Sequence, residues 1–185
     1  MIWWPSEIPI LQHGYITLRP AQERDVQTIF NACQDPVIPR FTTVPSPYLR
    51  SHAESFVREL APKQFLVQKE MLFVITSNLN SDDEFCGVIS FHTVNLGNHT
   101  AEIGYWMAKE ARGKGIGLTA VNLITRYGLE TVGFRRIEGY VDTNNIASRA
   151  LLARSGYTLE GILKNKVTRA NGDQIDMALF AKVQD

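Results

Sequence analysis

The sequence predicts an α/β domain, more closely an α+β arrangement, in which a mixed β-sheet is flanked by helices. Two observations predict this class. Short segments in which apolar residues alternate are interspersed with segments in which they recur at helical spacing. Residues 100–141 also read as a strand–helix–strand unit with the length of a parallel crossover. The chain has 185 residues, the size of one ordinary domain, so we expect a single domain over residues 1–185.

The first half of the chain predicts one strand, two helices and three further strands. Alternation over residues 15–19 indicates a strand, and the apolar spacing over residues 22–34 indicates a helix. Four prolines predict an irregular loop after it, because proline lacks a backbone donor and interrupts helices: Pro36, Pro39, Pro45 and Pro47. A helix over residues 48–65 and strands over 71–76, 84–93 and 100–107 follow, and residues 95–98 form a hairpin turn.

The second half alternates between helix and strand before a final hairpin. A helix over residues 117–130 leads into a short strand over 136–141. The next helix, over residues 146–154, ends at Gly156, a typical C-terminal stop. Strands over residues 157–167 and 175–183 close the chain around the turn Ala170-Asn171-Gly172-Asp173.

Composition narrows the classes of function. Basic and acidic residues number 19 each, so the charge gives no support for a nucleic-acid partner. The N-terminus lacks the features of a signal peptide, and no apolar run is long enough for a membrane span, so we expect a cytoplasmic protein. Cys33 and Cys86 are far apart in apolar surroundings and predict buried thiols rather than a disulfide or zinc site. The scattered histidines, including His92 and His99 beside the hairpin turn, predict no metal site.

The most informative segment runs from a strand through a basic, glycine-rich loop into a helix. Gly113, Gly115 and Gly117 allow the backbone to approach a ligand closely, and Arg112 and Lys114 add positive charge. The unpaired N–H groups of the following helix and its dipole favour an anion at this place. We therefore predict a diphosphate site, whereas the simpler alternative is a structural turn with two solvated cations.

This loop, R-x-x-G-x-G from Arg112 to Gly117, resembles the pyrophosphate loop of the GNAT acyltransferase superfamily. The segments AEIGYW at 101–106, DTNNIASRALL at 142–152 and SGYTLEG at 155–161 are similar to its ribosomal-protein N-terminal acetyltransferase (RimJ/RimL-like) branch. The opening YITLRPAQERD at 15–25 is similar as well, and the resemblance covers about residues 14–182. It implies the GNAT-type acyl-CoA N-acyltransferase fold and an acetyl-CoA-dependent N-acetyltransferase.

The resemblance also implies a binding site for acetyl-CoA, with no metal. The strand that ends near Met107 and Ala108 would pair with the pantetheine arm as an added strand does. Asn145 matches an asparagine that contacts the CoA arm, although Asn-x-x-Ser before an apolar run also indicates a helix N-cap. The implied diphosphate site comprises Arg112, Gly113, Lys114, Gly115, Ile116, Gly117, Leu118 and Thr119.

Two candidate catalytic residues follow from the resemblance. Glu102 lies in an otherwise apolar strand and matches a glutamate of this branch, so it is the candidate general base. Ser148 matches a serine that interacts with the departing thiolate. Many superfamily members carry a tyrosine where this chain has Leu152, so Ser148, another tyrosine such as Tyr140, or solvent must take the place of that acid.

The predicted function is transfer of an acetyl group from acetyl-CoA to a primary amine, by direct attack in a ternary complex. The branch indicates the N-terminal α-amine of a protein as acceptor, and a small-molecule amine such as a polyamine or an antibiotic is the alternative. Other classes remain open, namely a non-catalytic acyl-CoA-binding module and a dinucleotide-binding domain, since residues 115–120 also satisfy G-x-G-x-x-A. We expect no nucleic-acid or membrane partner, and a homodimer is compatible with the sequence.

Overall fold

The computed structural model describes residues 2–169 and 171–184. Eight strands form one sheet in the order β1-β2-β3-β4-β5-β6-β8-β7. The strands are β1 (Leu11–His13), β2 (Ile16–Arg19), β3 (Met71–Ser77), β4 (Glu84–Asn95), β5 (Thr100–Met107), β6 (Arg136–Asp142), β7 (Thr158–Thr168) and β8 (Gln174–Val183). The helices are α1 (Asp25–Ala32), α2 (Val37–Phe41), α3 (Arg50–Ser55), α4 (Ala61–Leu66), α5 (Ile116–Arg126) and α6 (Ile146–Arg154).

Strands β5 and β6 are parallel, whereas the other neighbouring strands of the described chain are antiparallel. The helix α5 connects β5 to β6, which is the crossover that the sequence predicts over residues 100–141. This topology confirms the predicted mixed sheet. It also argues against the dinucleotide-binding alternative, because a doubly wound domain needs a mostly parallel sheet.

The helices cover both faces of the sheet. Residues of α5, such as Val121 and Ile124, are fully buried in the larger core together with side chains of β3, β4 and β5. A second core joins α1 and α3 to the opposite face, where Trp106 of β5 packs against it. Since side chains alternate along a strand, β5 contributes Tyr105 to the larger core and Trp106 to the second.

The proline-rich segment is not wholly irregular, because it contains α2. Asp35 accepts a hydrogen bond from the Val37 N–H at 3.0 Å and thereby caps the first turn. Pro39 lies in that turn, where its missing N–H would have no helical partner in any case. The loop prediction was therefore wrong over five residues and describes only the remainder of the segment.

Other elements also differ from the sequence prediction. The strand β1 was missed, since three partly exposed residues carry too little pattern to detect. The helix predicted over residues 48–65 starts at Arg50 and contains a π-helical segment, Phe56–Leu60, between α3 and α4. A second π-helical segment, Tyr127–Val132, extends α5 beyond residue 130. The final hairpin turn is described at 171–173, and Ala170 lies outside the described residues.

The N-terminal segment packs against the domain. The N–H of Trp3 donates to the carbonyl of Val132 at 2.8 Å, and the Trp4 ring lies 5.4 Å from that of Phe65. Within the part of the chain that the structure describes, no helix has the length and apolar character needed to traverse a lipid bilayer.

Candidate active site

The strands β5 and β6 separate over most of their length. They pair in register only from Thr100 to Glu102 of β5, although β5 continues to Met107 and β6 to Asp142. On its other side β5 stays paired with β4 as far as Met107. The two parallel strands therefore open into a V-shaped gap, which we call the β5–β6 opening.

Backbone polar groups of β5 line this opening. The N–H of Ala108, just after β5, donates to the carbonyl of Cys86 in β4 at 2.8 Å. Counted back from Ala108, every second residue of β5 therefore directs its backbone groups toward β4. By alternation, Tyr105 and Met107 direct their backbone groups away from β4 and into the opening. Ala108 is different, because its carbonyl also accepts a bond from Ala111, so both of its backbone groups are bonded within the protein.

The glycine-rich loop lies at the end of β5, and it forms the N-terminus of α5. Gly113 and Gly115 have φ angles of +74° and +78°, and a Cβ at either position would meet no heavy atom within 4 Å. The first helical bond is donated by Thr119 to Gly115, so helix geometry leaves the N–H groups of the preceding turn without intrahelical partners. No side chain of the described residues caps this helix. The loop is thus open to an anionic ligand.

The side chain of Arg112 is bonded within the protein. Its Nε and Nη2 donate to the Met107 carbonyl at 3.1 and 2.9 Å, and its Nη1 lies 2.7 Å from Asp35 Oδ2. This guanidinium therefore holds the loop against the end of β5 and the start of α2. Lys114 is exposed and carries the positive charge that faces solvent in the loop, whereas the side chain of Ile116 is buried in the core.

A pair of hydroxyl groups reaches across the opening. Tyr105 Oη of β5 lies 2.8 Å from Ser148 Oγ in the first turn of α6. Asn145 Oδ1 accepts the Ser148 N–H at 3.1 Å, so Asn145 is the N-cap of α6, one of the two roles foreseen for it. Burial raises the pKa of Tyr105 to about 12, although the bond to Ser148 partly opposes this shift. The phenol is therefore protonated at neutral pH.

Leu152, at the position of the missing tyrosine, is a core residue. It is 1% exposed, and a Cβ at Gly139 of β6 would lie 2.8 Å from its Cδ1. Tyr140 does not reach toward Ser148 either, because its hydroxyl donates to Glu138 Oε2 at 3.1 Å on the other face of the sheet. The sequence drew attention to both of these residues but gave no signal for Tyr105, whose role depends on the way β5 and α6 meet.

Glu102 lies where the pairing of β5 with β6 ends, on the face opposite to Tyr105. Its neighbours in register are His92 of β4 and Glu138 of β6. Burial raises the pKa of Glu102, the hydrogen bond from Thr93 opposes the shift, and the charge of Glu138 adds to it. A carboxylate with a raised pKa is suited to accept a proton near neutral pH.

A β-bulge in β4 brings Thr93 and His92 to this carboxylate. Thr93 adopts a φ of +51°, which is unusual for a β-branched residue, and its hydroxyl lies 3.4 Å from Glu102 Oε2. His92 Nε2 lies 3.8 Å from Glu102 Oε1, and burial lowers the pKa of this histidine. His92 thus faces Glu102 across the β4–β5 pair.

The fold is that of the acetyltransferases, and the chain belongs to the acetyltransferase (GNAT) domain family, whose model matches residues 16–158. The predicted family, fold and enzyme class are thereby confirmed. The ribosomal-protein-serine acetyltransferase of Escherichia coli K12 is 34% identical over 104 residues, which are 56% of this chain and 58% of that protein. The matched part is thus little more than half of that relative's length.

Two solved structures are similar over nearly the whole chain. One is RimL, a ribosomal L7/L12 α-N-protein acetyltransferase in complex with coenzyme A. It has a TM-score of 0.85 at 23% identity and covers 96% of this chain and 99% of its own, which supports the fold. The other is Mycobacterium smegmatis RimJ in complex with a CoA disulfide, with a TM-score of 0.83 at 26% identity over 97% of this chain and 88% of its own.

Proposed function

We propose that the protein transfers the acetyl group of acetyl-CoA to a primary amine, and that the acceptor is the N-terminal α-amine of a protein. The observation that carries the proposal is the β5–β6 opening above a glycine loop whose N–H groups are free at the start of α5. This arrangement suits a ligand with an amide-bearing arm and a diphosphate. The relative that acetylates ribosomal-protein serine, and the RimJ structure with its CoA ligand, support the donor and the acceptor class.

The residues present fit such a donor. The backbone groups of Tyr105 and the N–H of Met107 face the opening and offer partners for the pantetheine amides, whereas the Met107 carbonyl already accepts from Arg112. In the loop, Gly113 to Leu118 would hold the diphosphate through backbone N–H groups, since the Thr119 N–H is bonded to Gly115, and Lys114 would add charge. Arg112 would contribute by fixing the shape of the loop, since its guanidinium is bonded to Met107 and Asp35.

The proposed chemistry divides between the two faces of β5. A protein α-amine has a pKa of about 8 and must lose its proton to attack, so Glu102 would accept that proton on one face. The free amine then attacks the thioester carbonyl to form the C–N bond, and the nitrogen loses its second proton to solvent. The tetrahedral oxyanion collapses as the C–S bond breaks, and the electron pair of that bond stays on sulfur. On the other face Ser148 would donate a hydrogen bond to this thiolate, which solvent later protonates. N–H groups of β5 at the opening would stabilise the oxyanion.

The test begins with calorimetric titration of the protein with acetyl-CoA, CoA and NADH side by side. Binding of only the two CoA species supports the donor, whereas binding of NADH alone, or of none, would overturn it. A panel of peptides with free N-termini is then compared with the same peptides blocked at the N-terminus and with polyamines, and free thiol and product mass are measured. Acetylation of only the free N-termini supports the proposed acceptor. CoA binding without transfer to any amine would favour the non-catalytic binding module.

A further inference from the structure

Tyr105 occupies a place that the predicted site does not explain. The backbone ladder between β5 and β6 ends at Glu102, yet three residues later Tyr105 reaches from β5 to the start of the helix that follows β6. Its hydroxyl meets Ser148 Oγ at 2.8 Å, so a pair of hydroxyl groups joins the two sides of the opening. Ser148 is the residue foreseen as the partner of the departing thiolate. Whatever fixes its hydroxyl proton therefore affects that step.

The direction of this hydrogen bond follows from the available acceptors. Tyr105 Oη has two acceptors within reach, Ser148 Oγ at 2.8 Å and the Ser148 carbonyl at 3.4 Å. Only the first distance is normal for a bond donated by a hydroxyl. Because burial keeps the phenol protonated, Tyr105 has a proton to donate at neutral pH. When Ser148 Oγ accepts it, the single proton of Ser148 must point elsewhere.

We propose that Tyr105 is a positioning residue for Ser148, which directs the serine hydroxyl proton into the β5–β6 opening as a hydrogen-bond donor to the leaving thiolate. The inference rests on the proposed acetyl transfer and adds a residue to it. No proton leaves Tyr105 or Ser148 in this step, since the thiolate, whose conjugate thiol has a pKa of about 8.5, is a much weaker base than the phenolate would be. The pair stabilises the thiolate, and solvent protonates it after the C–S bond has broken.

This pairing also accounts for Leu152. The side chain at position 152 is 1% exposed and packs against β6, so a tyrosine there would have to extend out of this buried position for its hydroxyl to reach the opening. In this chain the phenol instead comes from β5, and the serine of α6 connects it to the opening. The chain thus retains a tyrosine hydroxyl on this side of the opening, although Leu152 itself carries none.

The test is a double-mutant cycle of Tyr105→Phe and Ser148→Ala, with Tyr157→Phe as the matched control. Tyr157 is another buried tyrosine, and its hydroxyl bonds a second hydroxyl, that of Thr125 at 2.7 Å, instead of that of Ser148. We expect Tyr105→Phe to lower kcat about tenfold, the scale of one hydrogen bond to a charged group, with unchanged Kd and KM for acetyl-CoA. The Tyr157→Phe variant should keep the kcat of the unmodified enzyme.

The double variant decides between positioning and a general structural role. If Tyr105 acts through Ser148, Tyr105→Phe has no further effect once Ser148 is alanine. Multiplied losses in the double variant, an unchanged kcat for Tyr105→Phe, or an equal loss for Tyr157→Phe would each overturn the inference. An unmodified enzyme that binds acetyl-CoA but acetylates no amine would overturn the proposed function, and this inference with it. An active enzyme with multiplied losses overturns the inference alone.

A second measurement covers the case in which Tyr105→Phe fails to fold, as judged by its melting temperature. Site-specific 3-fluorotyrosine at position 105 makes the phenol a stronger hydrogen-bond donor and leaves the ring packing nearly unchanged. Below the pKa of the modified phenol, kcat should rise when Ser148 is present and stay constant in the Ser148→Ala background. Identical kcat values with and without fluorine in the enzyme that retains Ser148 would overturn the inference.

Discussion

Glu102 lies directly beside a second carboxylate in the sheet, since Glu138 of β6 is its register partner. Glu138 already forms an ion pair with the guanidinium of Arg136 and accepts a hydrogen bond from the Tyr140 hydroxyl. Glu102 has weaker partners, a 3.4 Å contact with Thr93 and a histidine beyond hydrogen-bonding distance. Of the two adjacent carboxylates, Glu102 is therefore the one with free capacity to accept a proton.

The variant Glu102→Gln should leave acetyl-CoA binding intact and lower kcat/KM for the acceptor by about 10²–10⁴-fold, the usual contribution of a general base. The loss should be largest at pH values below about 8, where the acceptor amine is mostly protonated, and should narrow above that pH. The unmodified enzyme should lose activity in acid as Glu102 becomes protonated, at a pH raised by burial, whereas the activity of the variant should already fall below about pH 8, where the acceptor amine becomes protonated. Initial rates from pH 5 to 10 measure both effects.

Glu138→Gln is the matched control for this prediction. The charge of Glu138 raises the pKa of Glu102, so its removal should shift the acid decline of the enzyme to lower pH while the rate at neutral pH changes little. A Glu102→Gln variant with an unchanged pH profile would remove Glu102 from the mechanism. An acid decline that stays in place in Glu138→Gln would mean that another group titrates.

At the scale of elements, the start of α5 joins three parts of the site. Gly117 lies in its first turn, where a Cβ would stand 3.1 Å from Leu151 Cδ1 of α6 and 3.5 Å from Met107 Sδ of β5. The position therefore combines close packing with free N–H groups. A negative side chain in the first turn of a helix favours the helix itself but repels an anionic ligand.

Gly117→Asp should consequently abolish detectable acetyl-CoA binding in calorimetry while the protein remains folded. Gly117→Ala introduces the same Cβ without the charge and should weaken binding far less, provided that Leu151 moves by a few tenths of an ångström. Circular dichroism on both variants checks the fold. Acetyl-CoA affinity that is unchanged in Gly117→Asp, or reduced equally in both variants, would contradict an anion site at this helix.

The start of α6 offers a second prediction, because Asn145 is its N-cap and is also a predicted contact of the CoA arm. Asn145→Ala removes the acceptor for the Ser148 N–H and should lower the free energy of unfolding by about 1 kcal/mol. Asn145→Ser retains a capping oxygen and should keep the stability. Urea unfolding of both variants tests the cap, and acetyl-CoA titration of Asn145→Ser tests the ligand role separately. Equal stability of the alanine and serine variants would contradict the cap.

Elements with long patterns were predictable from the sequence, and the details of the site were not. The crossover from β5 to β6 and the loop glycines follow from periodicity and residue type, both of which are local. The separation of β5 from β6 is a property of the sheet, and the contact of Tyr105 with Ser148 joins residues 43 positions apart. The short helix α2 and strand β1 were missed because the former depends on a cap from Asp35 and the latter on pairing with β2.

At the scale of the whole molecule, one buried ion pair connects segments that are distant in sequence. Arg19 of β2 donates to both carboxylate oxygens of Asp25, each at 2.8 Å, at the start of α1. Its Nε donates to Asp83, just before β4, at 3.0 Å. The side chains of Arg19 and Asp25 are only 7% and 5% exposed. This cluster therefore fixes α1 and the β3–β4 connection to the sheet, and with them the α1–α3 layer on the same face of the sheet as Glu102.

Arg19→Met should lower the free energy of unfolding by roughly 3–5 kcal/mol, because it leaves the buried carboxylate of Asp25 without a counter-charge. Arg19→Lys, which keeps the charge but not the two-pronged geometry, should lose less stability.

The stability conferred by this cluster should also depend on pH. Burial acts to raise the pKa of Asp83, but the hydrogen bond from Arg19 and the nearby charge of Arg24 outweigh it and keep this pKa below its ordinary value. The share of stability that depends on Asp83 is therefore complete above pH 4 or so, and it falls as this carboxylate becomes protonated in acid. Urea unfolding of the unmodified protein and the two Arg19 variants should give free energies of unfolding that differ widely at pH 7. The difference should be smaller at pH 3. Equal stability at pH 7 would mean that packing alone holds α1 to the sheet.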